Sequence, residues 1–352
     1  MGMALCVPKK ERRRGGGGGL GASAIGSKRL SRSMRKMPAD EEIIHRQALA
    51  MAIQHQQMSQ RFEGSMSRRI GNSSRRKNLP DSVINGKQVQ ELNENIETKK
   101  IVLIHGEGFG AWSWYKTISM LEEVGLHPTA IDLTGSGIDH TDTNTVKTLA
   151  EYSNPLIQFL KKLPDEEKVI LVGHSCGGAS VSYALECFPK KISKAIFVTA
   201  TMVLDGQRPY DVFSEELASA EIFMKQSQLL IYGDGKDKSP TALMLDKNHI
   251  KGLYFNQTTS TKDIALANVS VRPIPLKPIM EKLSLTTENY GSVKRYFIQT
   301  LEDRMLSPDI QEKLVRDNPP DGVYKIKGSD HCPFFSKPLS LHRILVEIAQ
   351  IV

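Results

Sequence analysis

The chain has 352 residues and no run of apolar residues approaching the ~20 that a membrane-spanning helix needs. An apolar secretory segment is missing from its N-terminus. Only four cysteines occur, Cys6, Cys176, Cys187 and Cys332, and no two of them form a CxxC pair. This scarcity argues against a disulfide framework and against a zinc site, and points to a reducing or redox-neutral compartment. Aromatic residues make up only 6% of the chain.

Acidic residues are scarce at one end. Residues 1–79 hold 17 Lys and Arg against 5 Asp and Glu, a balance of +12, whereas residues 80–352 hold 30 against 34, a balance of −4. The overall charge of +8 therefore belongs to a tail, and the body is mildly acidic. The tail's arginines are scattered among Ser and Gly without interleaved aromatics, which argues against a nucleic-acid surface.

Residues 1–37 are basic, rich in Gly and Ser, and carry a single acid, Glu11. Such a segment buries too little apolar surface to fold alone. Its composition resembles an organelle transit peptide. A competing reading starts from Gly2, Cys6 and the basic cluster Lys9, Lys10, Arg12, Arg13 and Arg14, which together suggest a doubly acylated membrane anchor. The myristoylation pattern wants Ser or Thr where Cys6 stands. Residues 41–64 carry a loose apolar stripe (Ile44, Leu49, Ile53, Met58) that fits one marginal helix, and the following GNSSRRKNLPDSVINGKQ reads as linker. Residues 1–98 are thus expected to be a largely disordered targeting and linker region.

From residue 99 strand and helix signals alternate. KIVLIH (100–105), PTAIDL (128–133), KVILVG (168–173), KAIFVTA (194–200), KRYFIQT (294–300) and GVYKIKG (322–328) read as strands. Helical spacing runs through Trp112–Val124, Val146–Leu163 and Cys176–Phe188. Units of this kind imply an α/β fold with a mainly parallel sheet and helices on both faces. Residues 201–290 break the rhythm with several short helical patterns and are expected to form an inserted helical cap over the site.

The sharpest motif is Gly173-His174-Ser175-Cys176-Gly177, which fits G-x-S-x-G. It follows an apolar strand directly and precedes a helix, the setting of a nucleophile elbow. Such a turn holds the serine in a strained backbone conformation and needs small residues on either side. Ser175 is therefore the candidate nucleophile. A serine hydroxyl needs a base to take its proton. Of nine histidines, His331 follows the last strand, where an α/β-hydrolase places its base in the chain order Ser, acid, His. Asp303, just past KRYFIQT, is the favoured acid, with Asp309, Glu302 and Asp330 as rivals. The oxyanion requires two backbone N–H donors, expected from Cys176 and, in the loop after the first strand, from Glu107. A carboxylate side chain at that place is unusual: it either faces solvent or lowers activity.

VLIHGEGFGAWSWYKTISMLEEVG, AIDLTGSG, KVILVGHSCGGASVSYALECFPKKISKAIFVTA, NYGSVKRYFIQTLED and IKGSDHCPFFSKP together resemble the plant methylesterase family of the α/β-hydrolase superfamily. The resemblance covers residues 99–352, and the basic extension is similar to that of a chloroplast-targeted subgroup. It implies a triad of Ser175, Asp303 and His331, oxyanion donors at Glu107 and Cys176, and hydrolysis of methyl esters of small carboxylate hormones such as indole-3-acetate, jasmonate or salicylate. Some members of the subgroup replace the serine by Asp; this chain keeps it. Lyase relatives carry Thr and Lys where this chain has Gly106 and Cys332, which argues against cyanohydrin cleavage. No metal or cofactor is implied. Trp112, Tyr254, Phe255 and Met280 are expected to line the substrate pocket. The expected partner is a small-molecule methyl ester, with a homodimer left open and membrane association only through lipidation at Gly2 and Cys6. The rival reading is a hydrolase-fold ligand-binding protein with little or no turnover.

Overall fold

The computed structural model describes residues 96–214, 228–257 and 259–352. The expected transit or anchor segment and the helix at 41–64 lie outside these residues. Six strands form one parallel sheet in the order β2-β1-β3-β4-β8-β9. They are β1 (Lys100–Ile104), β2 (His127–Ile131), β3 (Val169–His174), β4 (Ile192–Val198), β8 (Lys294–Thr300) and β9 (Gly322–Ile326). The central strands are covered on both faces, so they read as unbroken apolar runs: Ile101–Ile104, Val169–Val172 and Ala195–Val198 are fully buried. Each Val, Leu, Ile or Phe among them contributes about 1.5–3 kcal/mol relative to exposure.

Helices α1 (Tyr115–Glu123), α2 (Leu149–Tyr152), α3 (Asn154–Lys162) and α4 (Gly177–Cys187) cross between the first four strands. The single helix expected over Val146–Leu163 is broken at Ser153, and α3 opens with Pro155 in its first turn. Proline lacks the N–H that a continuous helix would need there, and its ring would clash with the preceding turn. Thr148 and Glu151 close a reciprocal capping box at the start of α2.

The insertion between β4 and β8 is not purely helical. It combines α5 (Pro209–Ser214), α6 (Lys247–Leu253), α7 (Thr261–Ser270) and α8 (Leu276–Met280) with an antiparallel sheet of β5 (Gln228–Ile231), β6 (Ala242–Leu245) and β7 (Ile274–Pro275). These strands are only two to four residues long, too short for their alternation to stand out from the sequence. Polar ties fasten the cap to the core. Asp263 on α7 accepts hydrogen bonds from the Tyr115 hydroxyl (2.7 Å) and the Lys116 ammonium (2.6 Å). The Arg272 guanidinium donates to the carbonyls of Gly137 (3.0 Å) and Asp139 (2.5 Å). The chain closes with α9 (Pro308–Asp317), α10 (Pro333–Ser336) and α11 (Pro338–Gln350). Among the described residues no helix is long and apolar enough to cross a membrane.

The sheet register decides where the site lies. Ile104 pairs with Gly173, Gly173 with Phe197, Val198 with Ile298, and Thr300 with Ile326. All these strands run the same way, so the loops that follow them gather on one edge. In open parallel sheets that carboxyl edge is where ligands bind.

Candidate active site

Ser175 stands directly beyond β3, at the entrance to α4, with φ +48°. A non-glycine residue in this left-handed region is strained by roughly 1–3 kcal/mol and persists only where its surroundings enforce it. Three glycines do so here. A Cβ on Gly177 would lie 2.4 Å from the His105 carbonyl oxygen, and one on Gly173 would lie 2.8 Å from Val181. A Cβ on Gly106 would lie 2.7 Å from the His174 ring and 2.9 Å from the Ser175 Cβ. The loops after β1 and β3 therefore touch through atoms that leave no room for side chains.

His331 and Asp303 meet Ser175 from the loops after β9 and β8. Ser175 Oγ lies 2.8 Å from His331 Nε2, and His331 Nδ1 lies 2.8 Å from Asp303 Oδ2. All three residues are buried. Asp303 is held on both oxygens. Oδ1 accepts the backbone N–H groups of Met305 (2.8 Å) and Leu306 (2.9 Å). Oδ2 accepts the Thr199 hydroxyl (2.7 Å), the Thr300 hydroxyl (3.0 Å) and the Gln311 amide (3.3 Å) as well as the imidazole. Burial works to raise its pKa, but the His331 charge and these donors outweigh burial and hold the carboxyl below its usual range. The reverse holds for His331. Burial alone would depress its pKa, but Asp303, through its charge and hydrogen bond, and then Glu107 and Asp330, raise it above 6.5.

The rival acids are placed or engaged elsewhere. Glu302 accepts the N–H groups of Gly328 and Ser329. Asp309 lies in the first turn of α9. Asp330 bends away from the neighbouring ring to accept the Cys332 N–H (3.1 Å) and two cap groups, the Gln257 N–H (3.1 Å) and the Thr259 hydroxyl (3.0 Å).

Glu107 does not face solvent. It is only 5% exposed, and its carboxylate points into the site. Oε2 accepts the backbone N–H of Cys176 (3.2 Å), and Oε1 accepts the Tyr254 hydroxyl (2.7 Å). Oε1 also lies 4.0 Å from His331 Nε2. Burial raises its pKa, but His331, His174, the Tyr254 hydroxyl and its own backbone N–H overcome that and keep it anionic. The same carboxylate and burial push the Tyr254 phenol and the Cys176 thiol well above their ordinary values.

Two histidines give structural support that the sequence did not reveal. His174 Nε2 donates to the His331 carbonyl oxygen at 2.7 Å, and burial beside the His331 charge lowers its pKa to about 3, so it stays neutral. His105 Nε2 accepts the Leu133 N–H (3.0 Å) while Nδ1 donates to the Gly106 carbonyl (2.8 Å), tying together the loops after β1 and β2. Thr199, with φ +39°, is a second strained residue that aims a hydroxyl at Asp303.

The expected pocket residues divide. Tyr254 and Phe255 are buried together beside Phe109, whose ring centroid lies 5.8 Å from Tyr254 and 6.2 Å from Phe255. Tyr254 also meets the His331 ring edge-on at 5.2 Å. Trp112 is half-buried and stacks on Phe109 (5.5 Å) and Phe335 (6.3 Å), in the aromatic wall behind them. Met280 is 41% exposed at the C-terminal end of α8 rather than buried with the others. An apolar side chain at a helix end has no period to fix its direction. Phe334, packed between Trp114 and His174 at 4.9 Å from each, went unnamed although PFF in GSDHCPFF flags it.

Comparison with known proteins places these observations in a family. The family model described as "Alpha/beta hydrolase family" matches residues 101–341. The protein named "Putative methylesterase 14, chloroplastic" of Arabidopsis thaliana is 68% identical over 92% of this chain and 93% of its own length. "Putative methylesterase 12, chloroplastic" of the same plant is 64% identical over 99% and 98%. Among solved structures, the methylesterase protein MES16 from Arabidopsis superposes with a TM-score of 0.65 at 34% identity, covering 72% of this chain and 99% of that one.

Proposed function

We propose a carboxylesterase function for this chain, which belongs to the α/β-hydrolase superfamily and, within it, to the plant methylesterase family. The observation that carries the reading is the continuous hydrogen-bonded line from Ser175 Oγ through His331 to Asp303, both links 2.8 Å, built on a strained elbow at the carboxyl edge of the sheet. His331 Nε2 takes the Ser175 proton as the hydroxyl attacks the ester carbonyl. Asp303 keeps Nδ1 protonated and stabilises the imidazolium that forms. The backbone N–H groups of Cys176 and Glu107 are the donors for the oxyanion. Collapse of the tetrahedral adduct releases methanol, which takes its proton from His331. Water, deprotonated by the same ring, then frees the acid and restores Ser175.

The substrate class is a methyl ester of a small aromatic or cyclic carboxylic acid, such as methyl indole-3-acetate, methyl jasmonate or methyl salicylate. The rings of Phe109, Tyr254 and Phe255 beside His331 support it, since they would offer a planar apolar acyl group matching surface once the cap opens. The chloroplast is the proposed compartment, on the names of the relatives and the basic, acid-poor composition of residues 1–37. Incubation of wild type and Ser175→Ala with p-nitrophenyl acetate and then methyl indole-3-acetate tests the reading. Wild type should turn both over with the variant silent, and equal rates would refute it. One observation favours a second reading, a binding protein with little turnover: the Glu107 carboxylate occupies the Cys176 N–H.

A further inference from the structure

We propose that Glu107 is a resident stand-in for a ligand carboxylate: its side chain fills the oxyanion hole above Ser175, so the resting site excludes small carboxylic acids and takes an ester only when this plug swings aside. The hole is recognisable as an anion site without reference to catalysis. The Cys176 N–H lies at the N-terminus of the eleven-residue helix α4, where unpaired N–H groups and the helix dipole favour negative charge. In this structure the anion they hold is the chain's own. Glu107 Oε2 takes the Cys176 N–H at 3.2 Å. Oε1 lies 4.0 Å from His331 Nε2, the nitrogen that bonds Ser175 Oγ at 2.8 Å. The carboxylate thus meets the groups that an ester's carbonyl oxygen, or the free acid after hydrolysis, would have to meet.

The plug is latched from the cap. Tyr254, directly after α6, donates its hydroxyl to Glu107 Oε1 at 2.7 Å, and its ring lies edge-on to His331. Phe109 packs against Tyr254 from the loop that carries Glu107. Movement of the 254–255 segment would release the carboxylate, so opening of the cap and clearing of the hole are one event. The backbone on either side is fixed, with Gly106 packed against His174 and the Gly108 carbonyl accepting the Arg272 N–H at 2.9 Å, so the carboxylate leaves by rotation of the Glu107 side chain while its N–H stays in place. A second anion cannot share the hole, on both volume and charge. Free carboxylic acids, the products of the proposed reaction, are therefore rejected by the resting enzyme.

The turnover half of this inference rests on the esterase reading; the binding half does not. The test uses four full-length proteins, wild type, Glu107→Ala, Ser175→Ala and the double variant, with benzoate as the carboxylate probe. Titration calorimetry should find benzoate at least tenfold tighter on the double variant than on Ser175→Ala. Against p-nitrophenyl acetate, Glu107→Ala should exceed wild type at least tenfold in kcat/KM and be inhibited by benzoate, while wild type is not. Tyr254→Phe, which removes the latch but leaves the carboxylate, should move both readouts the same way by less and serves if Glu107→Ala fails to fold. Equal benzoate affinity with and without Glu107 overturns the inference, whatever the rates. A gain in benzoate binding with no hydrolysis by either Ser175-bearing protein sustains the plug and overturns the esterase reading instead.

Discussion

Replacement of Asp303 by Asn preserves shape and volume while removing one charge, and the structure dictates how the amide must sit. Oδ1 accepts two fixed backbone N–H groups, from Met305 and Leu306, which cannot become acceptors. The Asn oxygen must therefore take that side, and its NH2 group faces Thr199, Thr300, His331 and the Gln311 amide, which keeps its bonds to the Thr300 and Leu306 carbonyls. The hydroxyls can rotate to accept, so the fold should survive. His331 cannot adapt without cost. With a donor opposite Nδ1, its proton moves to Nε2 and faces Ser175, leaving no base for the nucleophile. The lost attraction between carboxylate and developing imidazolium is worth about 3–4 kcal/mol at an effective dielectric near 20. The lost charge-assisted hydrogen bond adds about 1.5–3 kcal/mol. Together they correspond to a fall in kcat of roughly 10³–10⁵, the range known for this substitution in another serine hydrolase triad. Stopped-flow or steady-state release of p-nitrophenol measures it, with circular dichroism as the control for folding. A well-folded Asp303→Asn protein within tenfold of wild type would refute the assignment of Asp303.

Because Asp303, Glu107 and Asp330 raise the His331 pKa above 6.5, kcat/KM should climb with pH through an apparent pKa above that value, as the imidazole loses its proton. Glu107→Gln removes one of these anions and should move that limb to lower pH, read from the kcat/KM–pH profile. Gly177→Ala would force a Cβ against the His105 carbonyl, and backbone shift there should cost at least ~1–3 kcal/mol and most of the activity, seen as a lower Tm and lost turnover. Asp263→Ala breaks the tie to Tyr115 and Lys116 and should cost about 1.5–3 kcal/mol, or several degrees in Tm. Asp263 titrates below 3.8 in the folded protein, so its contribution is full above that pH and disappears as pH falls through the lowered value. The difference between wild type and Asp263→Ala should therefore shrink in strong acid.

The central strands were legible because fully buried strands print apolar runs, and all six strands form within two residues of their sequence signals, including the partly exposed edge strands β2 and β9. Ser175 and His331 were legible because the turn chemistry of an elbow, and the position after a last strand, are local signals. Asp303 was harder: four carboxylates compete near the site, several of them accept backbone N–H groups, and what singles Asp303 out is its 2.8 Å bond to His331 Nδ1, a tertiary contact that no local signal prints. The direction of the Glu107 side chain could not be read at all. It depends on Tyr254, 147 residues away, and on a backbone N–H 69 residues away. The sequence points to Tyr254 through its apolar ring, yet its hydroxyl is what grips the site. The cap's small antiparallel sheet and the exposure of Met280 were lost for the same reason, since short irregular segments take their direction from tertiary partners.

Peptide mapping by mass spectrometry, after rapid acid quench of the protein with p-nitrophenyl acetate, tests whether the nucleophile is Ser175. An acetyl group on Ser175 in wild type, absent from Ser175→Ala and accumulating in step with the first turnover, is the predicted result. Turnover with Ser175 unmodified, or with the acetyl group on another residue, would contradict it.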